Sequence, residues 1–203
     1  MSDPYVRKAR AQGYRSRAAF KLIEVNSRER LLIPGFRVAD LGAAPGGWSQ
    51  VAAEKVGPRG KVVAIDLLEV APLPGVTVLR GDFRDAALQA ALAAELAGGK
   101  FDLVLSDLSP NLSGIASADQ ARSAELADAA LEFSRAQLKP EGALLMKVFQ
   151  GSEFASLHAR TKRLFRTVRV LKPAASRGES AETYLLGRAL KPTADAPISA
   201  KCA

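Results

Sequence analysis

The stretch FRVADLGAAPGGWSQ, residues 36–50, decides how the rest of the chain is read. Phe36–Leu41 is a short apolar run of strand-forming type, and Gly42 closes it. From residue 47 to 56 the spacing of apolar residues becomes helical. Gly42, Gly46 and Gly47 let the backbone between them turn sharply and approach a ligand closely, as in the first strand-to-helix turn of nucleotide-binding α/β folds. The dinucleotide form of that turn wants glycine at position 44, where this chain has Ala44 followed by Pro45. That argues against a pyrophosphate cradle and towards an adenosyl ligand that lacks one.

Further apolar runs at Lys61–Leu67, Val76–Leu79, Phe101–Leu105 and Ala143–Phe149 read as strands bounded by Gly or Pro. Ala-, Leu- and Glu-rich stretches at 84–97 and 117–138 read as helices between them. The alternation predicts an α/β fold, a parallel sheet with helices on both faces. A helix is also expected over Ser16–Ser27 and another over Leu157–Phe165, with Thr167–Leu171 and Thr183–Gly187 as a closing pair of strands. Residues 1–13 and 189–203 lack periodicity, so they are expected to be loose arms around one domain at 14–188.

An aspartate stands at or just beyond the end of three predicted strands: Asp66, then Asp82 in RGDF, then Asp107 in FDLVLSDLSPNLSG, residues 101–114. A carboxylate at the edge of a core is costly unless something compensates it. One such aspartate reads equally well as a cap or turn residue. Three at successive strand ends converge on the carboxyl edge of the sheet, where open α/β folds bind ligands. Asp66 lies twenty residues beyond Gly46, a distance suited to an acid that holds ribose hydroxyls.

Over 203 residues, 48% hydrophobic and 25% charged, the composition is that of a globular domain. No apolar run is long enough to span a bilayer, and the basic N-terminus lacks the apolar segment of a secretory signal. Cys202 is the single cysteine, so no internal disulfide is expected, and a cytoplasmic location is the simplest reading. Charge is uneven along the chain. Residues 1–30 carry eight Lys/Arg against three acids, 31–159 eleven against fifteen, and 160–203 ten against three. The two basic ends are expected to form one patch for a polyanion, above all a nucleic acid.

Taken together, DLGAAPGGWSQ, Asp66, RGDF, SDLSPNLSG, LLMKVFQG and SRGESAETY resemble the FtsJ/RrmJ (RlmE-type) family of RNA ribose 2′-O-methyltransferases, in order from Tyr14 to Gly187. The resemblance implies a Rossmann-like S-adenosylmethionine-dependent fold, a seven-stranded mostly parallel sheet whose last strand is antiparallel. It implies cofactor contacts at Gly46, Trp48, Asp66, Asp82 and Asp107, and a catalytic tetrad of Lys21, Asp107, Lys147 and Glu182. Leu108, Ser109 and Leu112 depart from the family's usual residues and alter loop packing more than chemistry. The implied substrate is a uridine ribose in 23S ribosomal RNA, with the large ribosomal subunit as partner, and no membrane or metal. A monomer is expected.

The residues themselves support part of this. Lys147 interrupts the apolar run LLMKVF, an expensive place for an ammonium. A lysine snorkelling from a strand end is the ordinary explanation, but an aspartate closing the adjacent strand favours a pair. Toward a ribose hydroxyl, Lys147 could act as proton acceptor or as a charged donor that orients the oxygen. The lone His158 reads as a helix-surface residue, not as a metal ligand or base. Two other readings remain: a tRNA ribose methyltransferase, and an RNA-binding protein that kept the fold without the chemistry. A dehydrogenase is weakened by Ala44-Pro45 and by the lysines.

Overall fold

Burial of both faces separates the central strands from the rest. A computed structural model describes residues 3–110, 113–176 and 181–192. Its strands are β1 (Arg37–Leu41), β2 (Lys61–Asp66), β3 (Val76–Arg80), β4 (Phe101–Ser106), β5 (Leu138–Phe149), β6 (Phe165–Leu171) and β7 (Glu182–Leu190). The helices are α1 (Pro4–Ala11), α2 (Ala18–Glu29), α3 (Gly47–Val56), α4 (Ala86–Glu95), α5 (Ala116–Gln137) and α6 (Phe154–Leu164). β1, β2 and β4 are buried almost throughout, as continuous Val/Leu/Ala/Ile runs in a covered parallel sheet should be. β3 and β6, partly exposed, form the two edges.

The strand order is β3-β2-β1-β4-β5-β7-β6, with β7 antiparallel to both its neighbours. This is the expected seven-stranded, mostly parallel sheet. Leu22, Val25, Trp48, Val51 and Ala52 of α2 and α3 cover one face. Leu88 and Leu92 of α4, Leu131 of α5 and Leu157 of α6 cover the other. The order reverses between β1 and β4, so the loops leaving their carboxyl ends splay apart and open a crevice.

The structure differs from the sequence reading in three places. Residues 4–11, expected to be loose, form α1: Asp3 caps it by accepting from the Tyr5 amide at 2.9 Å, and Pro4 sits where a missing N–H is harmless. Ala9 packs with Phe20 and Ala175, and the Tyr5 ring lies 5.7 Å from that of Phe20, so a helix too short and polar to show periodicity is held by these few apolar contacts. β5 starts at Leu138 instead of Ala143, because Leu138 pairs with Phe101 and residues 139–142 bulge out before the ladder resumes at Ala143. β7 extends to Leu190, into the segment expected to be a loose tail, and Cys202 lies outside the described residues.

The two basic ends meet only in part: Arg169 and Arg188 pair with Glu29 at the end of α2, and Lys172 opens the loop beside α1, while the cluster at the end of α6 lies elsewhere. β6 begins at Phe165, opposite Leu190, and finishes at Leu171, opposite Tyr184. Lys162, Arg163 and Arg166 therefore lie at the far edge of the sheet, roughly 20 Å of strand from its carboxyl edge. Arg166 pairs there with Glu141 at 2.8 Å. α1, with Arg7, Lys8 and Arg10, instead lies beside the 172–176 loop through Ala175, at the end where β7 starts.

Candidate active site

At the carboxyl edge, strand register places the catalytic candidates side by side. Asp107 follows β4, its amide donating to the Leu41 carbonyl at 3.2 Å. Lys147 stands opposite Tyr184, and Phe149 opposite Glu182, across the β5–β7 ladder. Lys21 reaches in from the buried face of α2. Lys147 Nζ lies 3.2 Å from Asp107 Oδ1 and donates to the Asp107 carbonyl at 2.8 Å. Lys21 Nζ donates to Glu182 Oε1 at 2.6 Å. The side chains of Lys147 and Lys21 are only 7% and 8% exposed, respectively. Ammonium groups so removed from water require partners, and each has a carboxylate.

Tyr184, to which the sequence assigns no role, joins the pairs. Its hydroxyl lies 3.2 Å from Asp107 Oδ1 and 3.1 Å from Glu182 Oε1. One phenolic proton can serve only one of these oxygens at a time. Burial first, and then the charges of Asp107 and Glu182, push the Tyr184 phenol far up, so it stays a donor. Burial alone would raise Glu182, but the hydrogen bond and charge of Lys21, with Lys147 and Ser176, leave its carboxyl below the ordinary value. The result is a continuous chain, Lys21–Glu182–Tyr184–Asp107–Lys147.

Beside Asp107 opens a cavity of about 440 Å³, walled by Gly42 and Ala44 of the first loop and by residues after β2, β3 and β4. That size suits a small organic ligand. All three strand-end aspartates, Asp66, Asp82 and Asp107, line it. Asp66 accepts from the Ala44 and Leu68 amides, both at 2.8 Å, and its carboxylate retains lone pairs for a ligand's hydroxyls. Asp82 is held by Arg84, whose Nε and backbone N–H both donate to Oδ1 at 2.9 Å; that side-chain bond is the main reason its carboxyl is depressed. Leu67 and Leu68, 65% and 66% exposed, offer an apolar wall suited to a flat base. Acids with free lone pairs, an apolar wall and space of this size fit an adenosyl cofactor.

Gly46 and Trp48 do not wall the cavity. The Trp48 indole N–H donates to the Ala18 carbonyl at 2.8 Å, and its ring packs on Tyr184 with centroids 5.7 Å apart. Gly46 and Gly47 instead make way for the N-terminal segment. A Cβ on Gly47 would collide with Ser16 Oγ, and one on Gly46 would meet Arg15.

Asp40 is a further functional candidate that the sequence reading passes over. It is wholly buried in β1, its Oδ2 accepts from Ser49 Oγ at 2.6 Å, and its Oδ1 has no hydrogen-bond partner. The signal that could find it is a carboxylate inside an apolar run, the same argument that marks Lys147. Burial, opposed by Ser49 and reinforced by Asp107 and Asp66, pushes its carboxyl up to about 7. His158, on α6, stacks on Phe154. Among the described residues, no group of His, Cys, Asp or Glu is arranged to hold a metal ion, and no helix is long and apolar enough to cross a membrane.

Comparison with known proteins gives concordant results. Residues 14–190 match the family of FtsJ-like methyltransferases. The chain is 54% identical to the ribosomal RNA large subunit methyltransferase E of Azoarcus sp. (strain BH72), over 92% of this chain and 91% of that one. It is likewise 54% identical to the protein of the same name from Thiobacillus denitrificans, covering 93% and 86%. A Plasmodium falciparum crystal structure described as a ribosomal RNA methyltransferase superposes with a TM-score of 0.80 at 29% identity, over 87% of this chain and 98% of that one.

Asp40 predicts a pH signature for the ligand-free protein. Its folded pKa lies above the unfolded value, so its stabilising contribution is present in acid and fades as pH rises from about 4 to about 7. Asp40→Asn removes this dependence. The stability difference between variant and wild type should shift in the variant's favour from pH 5 to pH 7, by at most about 1.4 kcal/mol per pH unit. A difference that denaturant titration finds constant over that range would show that Asp40 does not titrate there.

Proposed function

Because the chain belongs to the FtsJ-like methyltransferase family, we propose that it transfers a methyl group from S-adenosylmethionine to the 2′-hydroxyl of a uridine ribose in 23S ribosomal RNA, within the assembled large subunit. The observation that carries this reading is the buried chain Lys21–Glu182–Tyr184–Asp107–Lys147 beside a cavity fit for an adenosyl group. The names of the relatives support ribosomal RNA of the large subunit as substrate. The catalytic unit is the domain at 14–188.

The cofactor supplies an electrophilic methyl group on a sulfonium. Asp66 holds its ribose hydroxyls, Asp82 lies further along the same wall, and Asp107 stands where the cavity meets the lysines. An ammonium has three N–H donors. Lys147 directs one at the Asp107 carbonyl and is paired with Oδ1 of the same residue. A remaining N–H is free to hold the target oxygen and aim its lone pair at the methyl group; as the O–CH3 bond forms the S–CH3 bond breaks, leaving a neutral thioether, and the hydroxyl proton passes to water. Lys21 and Glu182 balance the charge beneath, and Tyr184 keeps the two pairs in register. A rigid arrangement of this kind can supply much of the rate by alignment alone.

Lys147→Ala should therefore lower kcat by at least about a hundredfold while calorimetry finds cofactor affinity within about threefold of wild type. Lys147→Arg should not restore the rate, because its planar fork cannot reproduce both contacts to Asp107. Near-normal turnover in the alanine variant would remove Lys147 from the site.

The basic residues of α1 lie at the catalytic end and suit RNA phosphates. Such contacts fix position and read little sequence, so selection falls to the folded shape of the RNA and its ribosomal surroundings. Large subunits should be methylated faster than protein-free 23S RNA or tRNA when initial rates are compared at matched ionic strength. Faster tRNA modification would move the assignment to a tRNA ribose methyltransferase, and transfer to none of them would favour a catalytically silent RNA-binding protein.

A further inference from the structure

Arg15 sits in the basic N-terminal segment and by charge alone would count as a phosphate contact. Its guanidinium is already engaged. Nη1 donates to the carbonyls of Pro45 at 3.2 Å and Ala71 at 2.6 Å, and Nη2 to that of Pro72 at 2.7 Å. Pro45 follows Ala44 in the first loop, while Ala71 and Pro72 belong to the segment that starts with Leu67 and Leu68. Ala44, Leu67 and Leu68 are all walls of the cavity. From the sheet side, Asp66 ties the same two segments through the Ala44 and Leu68 amides. The two walls are thus joined twice, by a carboxylate inside and by a guanidinium outside.

The approach of Arg15 is itself fixed. Its amide donates to Gln50 Oε1 at 3.3 Å, and Gln50 Nε2 donates to the Gly13 carbonyl at 3.0 Å. Gly46, with φ +108°, leaves the room: a Cβ there would lie 2.8 Å from Leu73 Cδ1 and 3.2 Å from Arg15 Nη1. Residues 67–75, between β2 and β3, have no ladder of their own; Val70 is buried against Ala43 and Ala64, and the rest of the segment depends on such side-chain bonds.

We infer that Arg15 is a positioning residue for cofactor binding, clamping the first loop to the segment after β2 so that the adenosyl cavity is preformed, and not a contact to RNA. The inference rests on the adenosyl reading of the cavity. Without the clamp, the walls hold the binding-competent spacing only part of the time, and affinity falls by that fraction. Once cofactor is bound the walls are in place, so turnover at saturation is spared. Lysine keeps the charge but ends one bond short of the Arg15 Nη atoms, and so does not reach the Pro45, Ala71 and Pro72 carbonyls together.

Arg15→Lys and Arg15→Met in the full chain test this. Calorimetry with S-adenosylmethionine and with S-adenosylhomocysteine should show binding weakened about tenfold in both variants. Amides of residues 43, 44, 46, 67–71 and 73 should exchange faster in the ligand-free proteins. At saturating cofactor kcat should stay within about twofold, and the salt dependence of RNA binding should keep its slope. Wild-type cofactor affinity in Arg15→Lys would overturn the inference. So would intact cofactor affinity with an RNA salt slope reduced by about one, the mark of a lost phosphate contact. Failure of the wild-type protein to bind either adenosyl compound would instead overturn the cofactor reading beneath it. Should the Arg15 variants not fold, Gln50→Ala is expected to weaken cofactor binding in the same direction, and unchanged affinity there would count against the clamp.

Discussion

Burying two ammonium groups at the end of a hydrophobic sheet is possible only because a carboxylate meets each of them within a hydrogen bond. That constraint organises the carboxyl edge. Asp107 must leave β4 at the level where β5 presents Lys147, and β7 must run antiparallel so that Glu182 enters at the same level. α2 must lie against that end of the sheet for Lys21 to reach Glu182. Tyr184 can bridge the two carboxylates because the β5–β7 register sets it opposite Lys147. Removing one partner would leave an uncompensated buried charge, so the network is held together as a unit.

The neighbouring cavity answers to a different requirement, a fixed distance between two loops that leave adjacent strands. β1 and β2 pair in parallel, which sets the loops side by side but not at a given spacing. Asp66 and Arg15 supply the rest. The glycine pair at 46–47 serves that arrangement by admitting Arg15 and Ser16 from the N-terminal segment. A glycine-rich turn in a sequence announces a close approach, and what approaches is decided by the fold.

Much of this architecture is legible in the amino-acid sequence. The apolar runs of β1, β2 and β4 are plain because strands buried on both faces leave little room for polar residues. Asp66, Asp82 and Asp107 stand out as strand-end acids, and Lys147 as a cation in an apolar run. Asp40 obeys the same logic but is hidden in the motif that surrounds it. Tyr184 is not legible, because its importance lies in two oxygens brought from distant strands. α1 escapes notice since two packed residues, Tyr5 and Ala9, leave no periodicity. The place of the basic cluster at the end of α6 is equally hidden, because charge along a chain does not say which end of a sheet it will occupy.

The central claim is that the lysine–carboxylate chain serves a ribose hydroxyl. It is tested most directly on large-subunit RNA whose target nucleotide carries 2′-deoxyribose in place of ribose. The account predicts binding close to that of the unmodified RNA and no methyl transfer to that nucleotide. Continued methylation of the deoxy nucleotide, on its base, would contradict it.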